Sequence, residues 1–112
     1  MLKSEHKNGV LVYSFDNSDK FNAPVAESVK SEIASKFLKP DAKVVFNLKG
    51  INYIDSSGFG TLLTLLKRAK TNYGCFRICN VSDQVMELFR LLQLHNIFEI
   101  FGTEEECINS FS

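Results

Sequence analysis

Two adjacent hydroxyls set between a carboxylate and a glycine, Asp55-Ser56-Ser57-Gly58, are the residues of this chain best placed to do chemistry. They interrupt "INYIDSSGFGTLLTLLKRAKTNYG", residues 51–74, where a strand-like run gives way to a helical one. A serine at such a junction can cap a helix, attack as a nucleophile, or carry a phosphoryl group. Nucleophilic attack needs a base, and only His6 and His95 exist, one in a polar N-terminal stretch and the other in a helix-ending turn. Neither serine stands in a Gly-x-Ser-x-Gly elbow. Gly58-Phe59-Gly60 begins like a dinucleotide loop, but Leu63 takes the place of the third glycine, and no Gly-Lys-Ser/Thr run follows as a phosphate loop requires. Glu104-Glu105-Glu106 suits the positive end of a helix dipole better than a metal. The residues therefore predict no catalytic group, no cofactor and no metal site.

Composition narrows the remaining classes. With 112 residues, 45% of them hydrophobic, the chain fits one domain spanning 1–112 around one core. Thirteen basic residues balance thirteen acidic ones, so no global field draws in nucleic acid or an anionic membrane. No apolar run approaches the ~20 residues of a membrane span, and "MLKSEHKNGV" lacks a secretory apolar segment, which predicts a cytoplasmic protein without membrane insertion. Three cysteines without CxxC spacing suit a reducing compartment and packing roles; on their strand Cys75 and Cys79 face the same side.

The elements that must position the serines follow from periodicity. "VLVYSF", Val10 to Phe15, reads as a strand bounded by Gly9 and by the loop Asp16-Asn17-Ser18-Asp19. From Pro24, Val25, Val29, Ile33 and Phe37 recur every four residues until Pro40, an amphipathic helix. Lys43 to Leu48 is nearly all apolar, as expected of a central strand covered on both faces. Phe59 to Lys70 carries a wide apolar face and ends in Lys67, Arg68 and Lys70, where the helix dipole favours cations. "CFRICN" is a further strand, "DQVMELFRLLQL" a helix and "IFEIF" a short last strand; Glu104 to Phe111 closes as a helix. This β-α alternation predicts an α/β fold with a mixed sheet and crossover helices.

Within that frame Asp55, Ser56 and Ser57 fall at a helix N-terminus, with Asp or Ser as the N-cap and Tyr53 and Ile54 anchoring the turn from below. Two hydroxyls exceed what one cap requires. Gly58 and Gly60 let another backbone come close, and a helix N-terminus is a ready anion site.

The stretch from 51 to 74 resembles the signature of the STAS domain family, the bacterial anti-sigma factor antagonists: Asp-Ser-Ser/Thr-Gly-Leu-Gly between a central strand and the next helix. "LFRLLQLHNIFEIF" is similar to the family's late segment, so the resemblance spans nearly the whole chain. It implies a single STAS-like α/β domain, a mixed central sheet with helices packed mainly on one face. It also places the phosphorylated serine on Ser56, the motif aspartate on Asp55 and the neighbouring Ser/Thr position on Ser57, with Phe59 in place of leucine. In the family's first loop, Gly-Glu-Leu/Ile-Asp, only Asp19 matches fully; Asp16 replaces glycine and Asn17 an acidic residue. The implied function is a non-enzymatic binding module that sequesters an anti-sigma factor serine kinase of the GHKL type through Asp19, Asp55, Ser56, Ser57, Gly58 and Phe59, and lets it go when Ser56 is phosphorylated. The alternative within the same family is an unphosphorylated subunit of a lipid-transport ABC system, an anion-transporter tail or another protein-interaction module. The resemblance implies no particular oligomeric state.

Overall fold

The computed structural model describes residues 2–111. Alternating side chains in the apolar runs point to opposite faces of a five-stranded sheet, and each face has its own cover. The strands of this sheet are β1 (Leu2–Lys7), β2 (Val10–Phe15), β4 (Lys43–Asn47), β6 (Cys75–Cys79) and β7 (Ile100–Phe101), adjacent in that order. β1 runs antiparallel to β2 and all other pairs are parallel. A separate two-stranded ribbon pairs β3 (Lys20–Phe21) with β5 (Tyr53–Ile54).

On one face Tyr13, Phe15, Val44, Phe46, Phe76 and Ile78 meet the buried sides of α1 (Ala23–Ala34), α2 (Ser56–Thr71) and α3 (Asp83–Leu91) in the main core. Phe46 lies at its centre, with ring centroids 5.4 Å from Phe15, 5.9 Å from Phe21 and 6.3 Å from Phe76. On the other face Val10, Val12, Val45 and Cys79 meet Cys107 and Ile108 of α4 (Glu104–Asn109), with Phe101 and Phe111 packed beside them. The expected helices mainly on one face are thus observed, with α4 as the minority cover. Cys79 is a packing residue, and its thiol is held protonated by a hydrogen bond with Cys107 and by burial.

Several boundaries differ from those the periodicity predicts. The sequence reading starts the sheet at Val10, whereas the structure adds β1 in front of it, joined by the two-residue turn Asn8-Gly9, both at positive φ. Such a turn twists with the strands it connects. The first helix passes at Ser35 into a 3-10 turn (Ser35–Leu38) that carries Phe37 into the core. α2 begins at Ser56 instead of Phe59, because Asp55 caps it earlier. α3 ends at Leu91, and the last strand keeps only Ile100 and Phe101 of the expected five residues.

α4 is tied to the sheet by a polar network as well as by apolar contact. Lys7 Nζ donates to Glu104 Oε2 at 2.6 Å, and Asn47 Nδ2 donates to Glu104 Oε1 at 2.8 Å. The hydrogen bond from Lys7, then that from Asn47, holds the Glu104 carboxyl below its ordinary value. A depressed carboxyl contributes stability above its unfolded pKa and loses it as pH falls through the folded one. Melting temperature followed against pH is therefore expected to decline below about pH 4.5, and Glu104→Gln is expected to flatten that decline. An identical acid profile in the variant would remove Glu104 from the explanation.

Candidate functional site

Position 55 decides how the two serines are presented. Asp55 is the N-cap of α2, with φ −91° and ψ −176°, and its Oδ1 accepts from the Gly58 amide at 2.9 Å. Its Oδ2 accepts from the Ala23 amide at 3.1 Å, at the first residue of α1. The N-cap residue of α1, Asn22, makes no side-chain cap of its own. One carboxylate therefore satisfies the exposed donors of two helix N-termini and pins them together, which sequence spacing alone did not reveal. Losing a cap costs about 0.5–2 kcal/mol and losing a second hydrogen bond about 1 kcal/mol more. Asp55→Ala is expected to destabilise by about 2 kcal/mol, a fall in Tm of roughly 8–16 °C for a domain of this size. Asp55→Asn keeps one acceptor oxygen and should lose about half as much. Equal melting of Asp55→Ala and the wild type would contradict the bridging role.

Capping by Asp55 frees the serines. Ser56 and Ser57 occupy the first two positions of α2 and both are exposed, as the abrupt change of period at Asp55 predicts. Beside them lies the Asp16 to Phe21 loop, held by main-chain bonds from Asn52 to Asp19 O at 2.7 Å and from Asp55 to Phe21 O at 3.2 Å. The β3–β5 register, Lys20 opposite Tyr53 and Phe21 opposite Ile54, fixes that loop against the start of α2. Asn17 sits at φ 60°, a left-handed conformation that asparagine tolerates better than most residues. Asp19 is exposed at the edge of this surface.

The other expected site residues support the surface from beneath. Gly58 is buried, and a Cβ there would stand 2.5 Å from Phe21 O and 2.6 Å from Ile54 Cγ2, so only glycine lets β3, β5 and α2 meet. Phe59 is 5% exposed and packs edge-on against Phe89 at 5.1 Å, which turns its ring into the core. Ile54 anchors the turn as expected, whereas Tyr53 is 49% exposed and does not; the strand period puts it on the solvent side. Gly60 is exposed, with open space where its Cβ would be, although a glycine inside a helix costs about 0.5–1 kcal/mol relative to alanine.

The residues brought together on the exposed surface are thus Asp19, Ser56 and Ser57, with Asp55 half-buried between them. His6 lies on β1 at the sheet edge, and His95 lies in the turn after α3 with its Nδ1 buried and unpaired. This arrangement leaves the Ser56 and Ser57 hydroxyls open to solvent, with both histidines on other elements. A charge placed on Ser56 would stand at the positive ends of two helices, so the fold can carry it without rearrangement.

Over residues 1–107 the chain matches the STAS domain family. It is 26% identical over 101 residues to the anti-sigma-B factor antagonist of Bacillus subtilis (strain 168), covering 90% of this chain and 89% of the relative. Among solved structures it is similar to an anti-sigma-factor antagonist (STAS) domain protein from Planctomyces limnophilus, with a TM-score of 0.89, 23% identity and coverage of 99% and 98% of the two chains. The phosphorylated form of the Bacillus cell fate determinant SpoIIAA matches with a TM-score of 0.72 at 18% identity over the full length of both chains. These structural likenesses show a shared fold. No described helix is long and apolar enough to cross a membrane.

Proposed function

The chain belongs to the STAS domain family, and on that premise we propose that it is an anti-sigma factor antagonist: a cytoplasmic binding module that captures an anti-sigma factor serine kinase of the GHKL type and is released when Ser56 is phosphorylated. The observation that carries this reading is the exposed Ser56 hydroxyl in the first turn of α2, beside a loop latched to that turn by main-chain hydrogen bonds. A docked kinase reaches that hydroxyl from solvent, and the phosphate it leaves adds about −1.5 to −2 charges to the contact surface. The name of the Bacillus subtilis relative supports the same reading. So does the likeness to the phosphorylated form of SpoIIAA, whose fold this chain shares.

The protein contributes the acceptor and the surface; the kinase contributes ATP and the catalytic groups. Purified alone, it should show no hydrolase, transferase or nucleotidase turnover, since neither histidine is arranged as a base for either serine. Gel filtration and calorimetry with the GHKL-type anti-sigma factor of the same organism test the reading. Unmodified protein should co-elute with it and phosphorylated protein should not. No complex with any such kinase, or reproducible turnover that disappears in Ser56→Ala, would overturn the proposal.

A further inference from the structure

The end of the molecule away from Ser56, where α2 finishes about 24 Å farther along its axis, carries a surface that the fold itself does not use. Asn72 ties this end together: its Nδ2 donates to Phe37 O at 3.0 Å and to Leu38 O at 3.1 Å, and its carbonyl accepts from the Asp41 amide at 3.2 Å. The 3-10 turn and the close of α2 thus form one surface. Six of the chain's thirteen basic residues stand there, Lys36, Lys39 and Lys43 on one side and Lys67, Arg68 and Lys70 on the other, against one carboxylate, Asp41. All six are exposed, and among the described residues none is in an ion pair. The rest of the chain keeps seven basic residues against twelve acidic ones, so a molecule of zero net charge is strongly polarised. The dipole of α2 accounts for cations at its own C-terminus, but not for Lys39 and Lys43, which belong to no α-helix. Two apolar side chains project among these charges, Leu38 at 76% exposure and Tyr73 at 82%. Tyr73 follows the C-cap of α2 at φ 60°, a left-handed conformation that glycine or asparagine adopts readily and a bulky aromatic seldom does. Its backbone is strained, and its ring gains no burial in return.

We propose that this end docks on an anionic lipid surface, with the lysines among the phosphate headgroups and Tyr73 and Leu38 dipping into the boundary between headgroups and acyl chains. The charge chooses an anionic partner, and the two projecting side chains choose a bilayer among anionic partners. A nucleic-acid backbone engages lysines but offers an exposed leucine no apolar medium. An acidic polypeptide needs a shaped pocket for each projecting side chain. A bilayer interface receives both without one, and it suits tyrosine, whose ring is apolar and whose hydroxyl stays wet. The long lysine stems lie along the same boundary and keep their ammonium groups at the headgroups. No helix enters the bilayer, so the contact is peripheral. Ser56, at the other end of α2, stays open to solvent in this pose, and the inference is therefore independent of the function proposed above.

Co-sedimentation of the full chain with vesicles at low ionic strength tests this, using phosphatidylcholine alone and equal parts of phosphatidylcholine and phosphatidylglycerol. The wild type should bind the mixed vesicles at least tenfold more tightly than phosphatidylcholine alone and lose that preference at high salt. Lys39→Gln combined with Lys70→Gln should weaken binding at least tenfold, since each lysine near an anionic surface contributes about fivefold. Tyr73→Asn removes the ring and suits the left-handed backbone, so it should weaken vesicle binding about fivefold or more while Tm stays the same or rises. A tyrosine with only a structural role would instead lower Tm on replacement and leave vesicle binding unchanged. A short DNA duplex and polyglutamate serve as competing ligands under the same conditions. Tighter binding to either of them than to the mixed vesicles would overturn the lipid assignment. Equal binding to the two vesicle compositions, or undiminished binding by either the lysine double variant or Tyr73→Asn, would overturn it as well.

Discussion

Phosphorylation of Ser56 is expected to weaken binding of the anti-sigma partner about a hundredfold, Ser56→Asp about tenfold, and Ser56→Ala less than threefold. The ordering follows from charge. A fixed acidic group on the partner ~6 Å away, at an effective dielectric of ~40, costs roughly 1.4 kcal/mol against one added charge and roughly 2–3 kcal/mol against a phosphate. Those energies correspond to about ten- and hundredfold in affinity. Ser56→Ala adds no charge, and because the cap of α2 is the Asp55 carboxylate, it removes no cap either. All three forms should melt alike, which assigns any loss of binding to the surface. Isothermal calorimetry on folded samples checks this; Ser56→Ala binding as weakly as Ser56→Asp would show that the hydroxyl itself, and not charge, governs docking.

Gly58→Ala should be the most damaging single-methyl change at the site. Its Cβ would enter to 2.5 Å of the Phe21 carbonyl oxygen and 2.6 Å of Ile54 Cγ2, and the oxygen is main chain, which cannot rotate aside. That carbonyl also accepts from the Asp55 amide at 3.2 Å, so moving it strains the latch between β3 and α2. Overpacking costs typically 1–3 kcal/mol and sometimes more. The gain in helix propensity offsets up to about 1 kcal/mol. A net loss of about 1–2 kcal/mol, or roughly 4–16 °C in Tm, is the expected result for a domain of this size. Partner binding should weaken too, because the Asp16 to Phe21 loop is displaced. Chemical denaturation would measure the loss directly. A variant as stable as the wild type would mean that β3, β5 and α2 do not meet as closely as described.

The parts of this fold legible in the sequence were those whose surroundings are uniform. Val10 to Phe15 and Lys43 to Leu48 read as strands because both faces are covered, which makes nearly every residue apolar. The start of α2 was legible because the apolar period changes abruptly there. β1 was missed because it is an edge strand, "LKSEHK", whose charges suit an exposed edge and erase the alternation. Its one signal was the hairpin turn Asn8-Gly9. β3 and β5 hold two residues each, too few for any period, yet they latch the Asp19 loop to the serines.

At the site the sequence revealed which residues gather but not which way they face. Ser56, Ser57 and Asp19 reach solvent, whereas Phe59, also drawn into the expected contact set, turns inward against Phe89. Gly58 and Gly60 look equivalent in sequence. Only the neighbours that Phe21 and Ile54 supply, both distant along the chain or on another element, separate the one that the fold requires from the one it leaves open. The second role of Asp55, its bond to the Ala23 amide, was illegible for the same reason: it joins residues 32 positions apart.

Which hydroxyl carries the phosphate tests the account most directly. The purified protein, Ser56→Ala and Ser57→Ala would each be incubated with the cognate GHKL-type kinase and ATP, and the phosphate located by mass spectrometry. The account predicts one phosphate on the wild type at Ser56, one on Ser57→Ala at the same residue, and none on Ser56→Ala. Phosphate on Ser57, or undiminished labelling of Ser56→Ala, would contradict it.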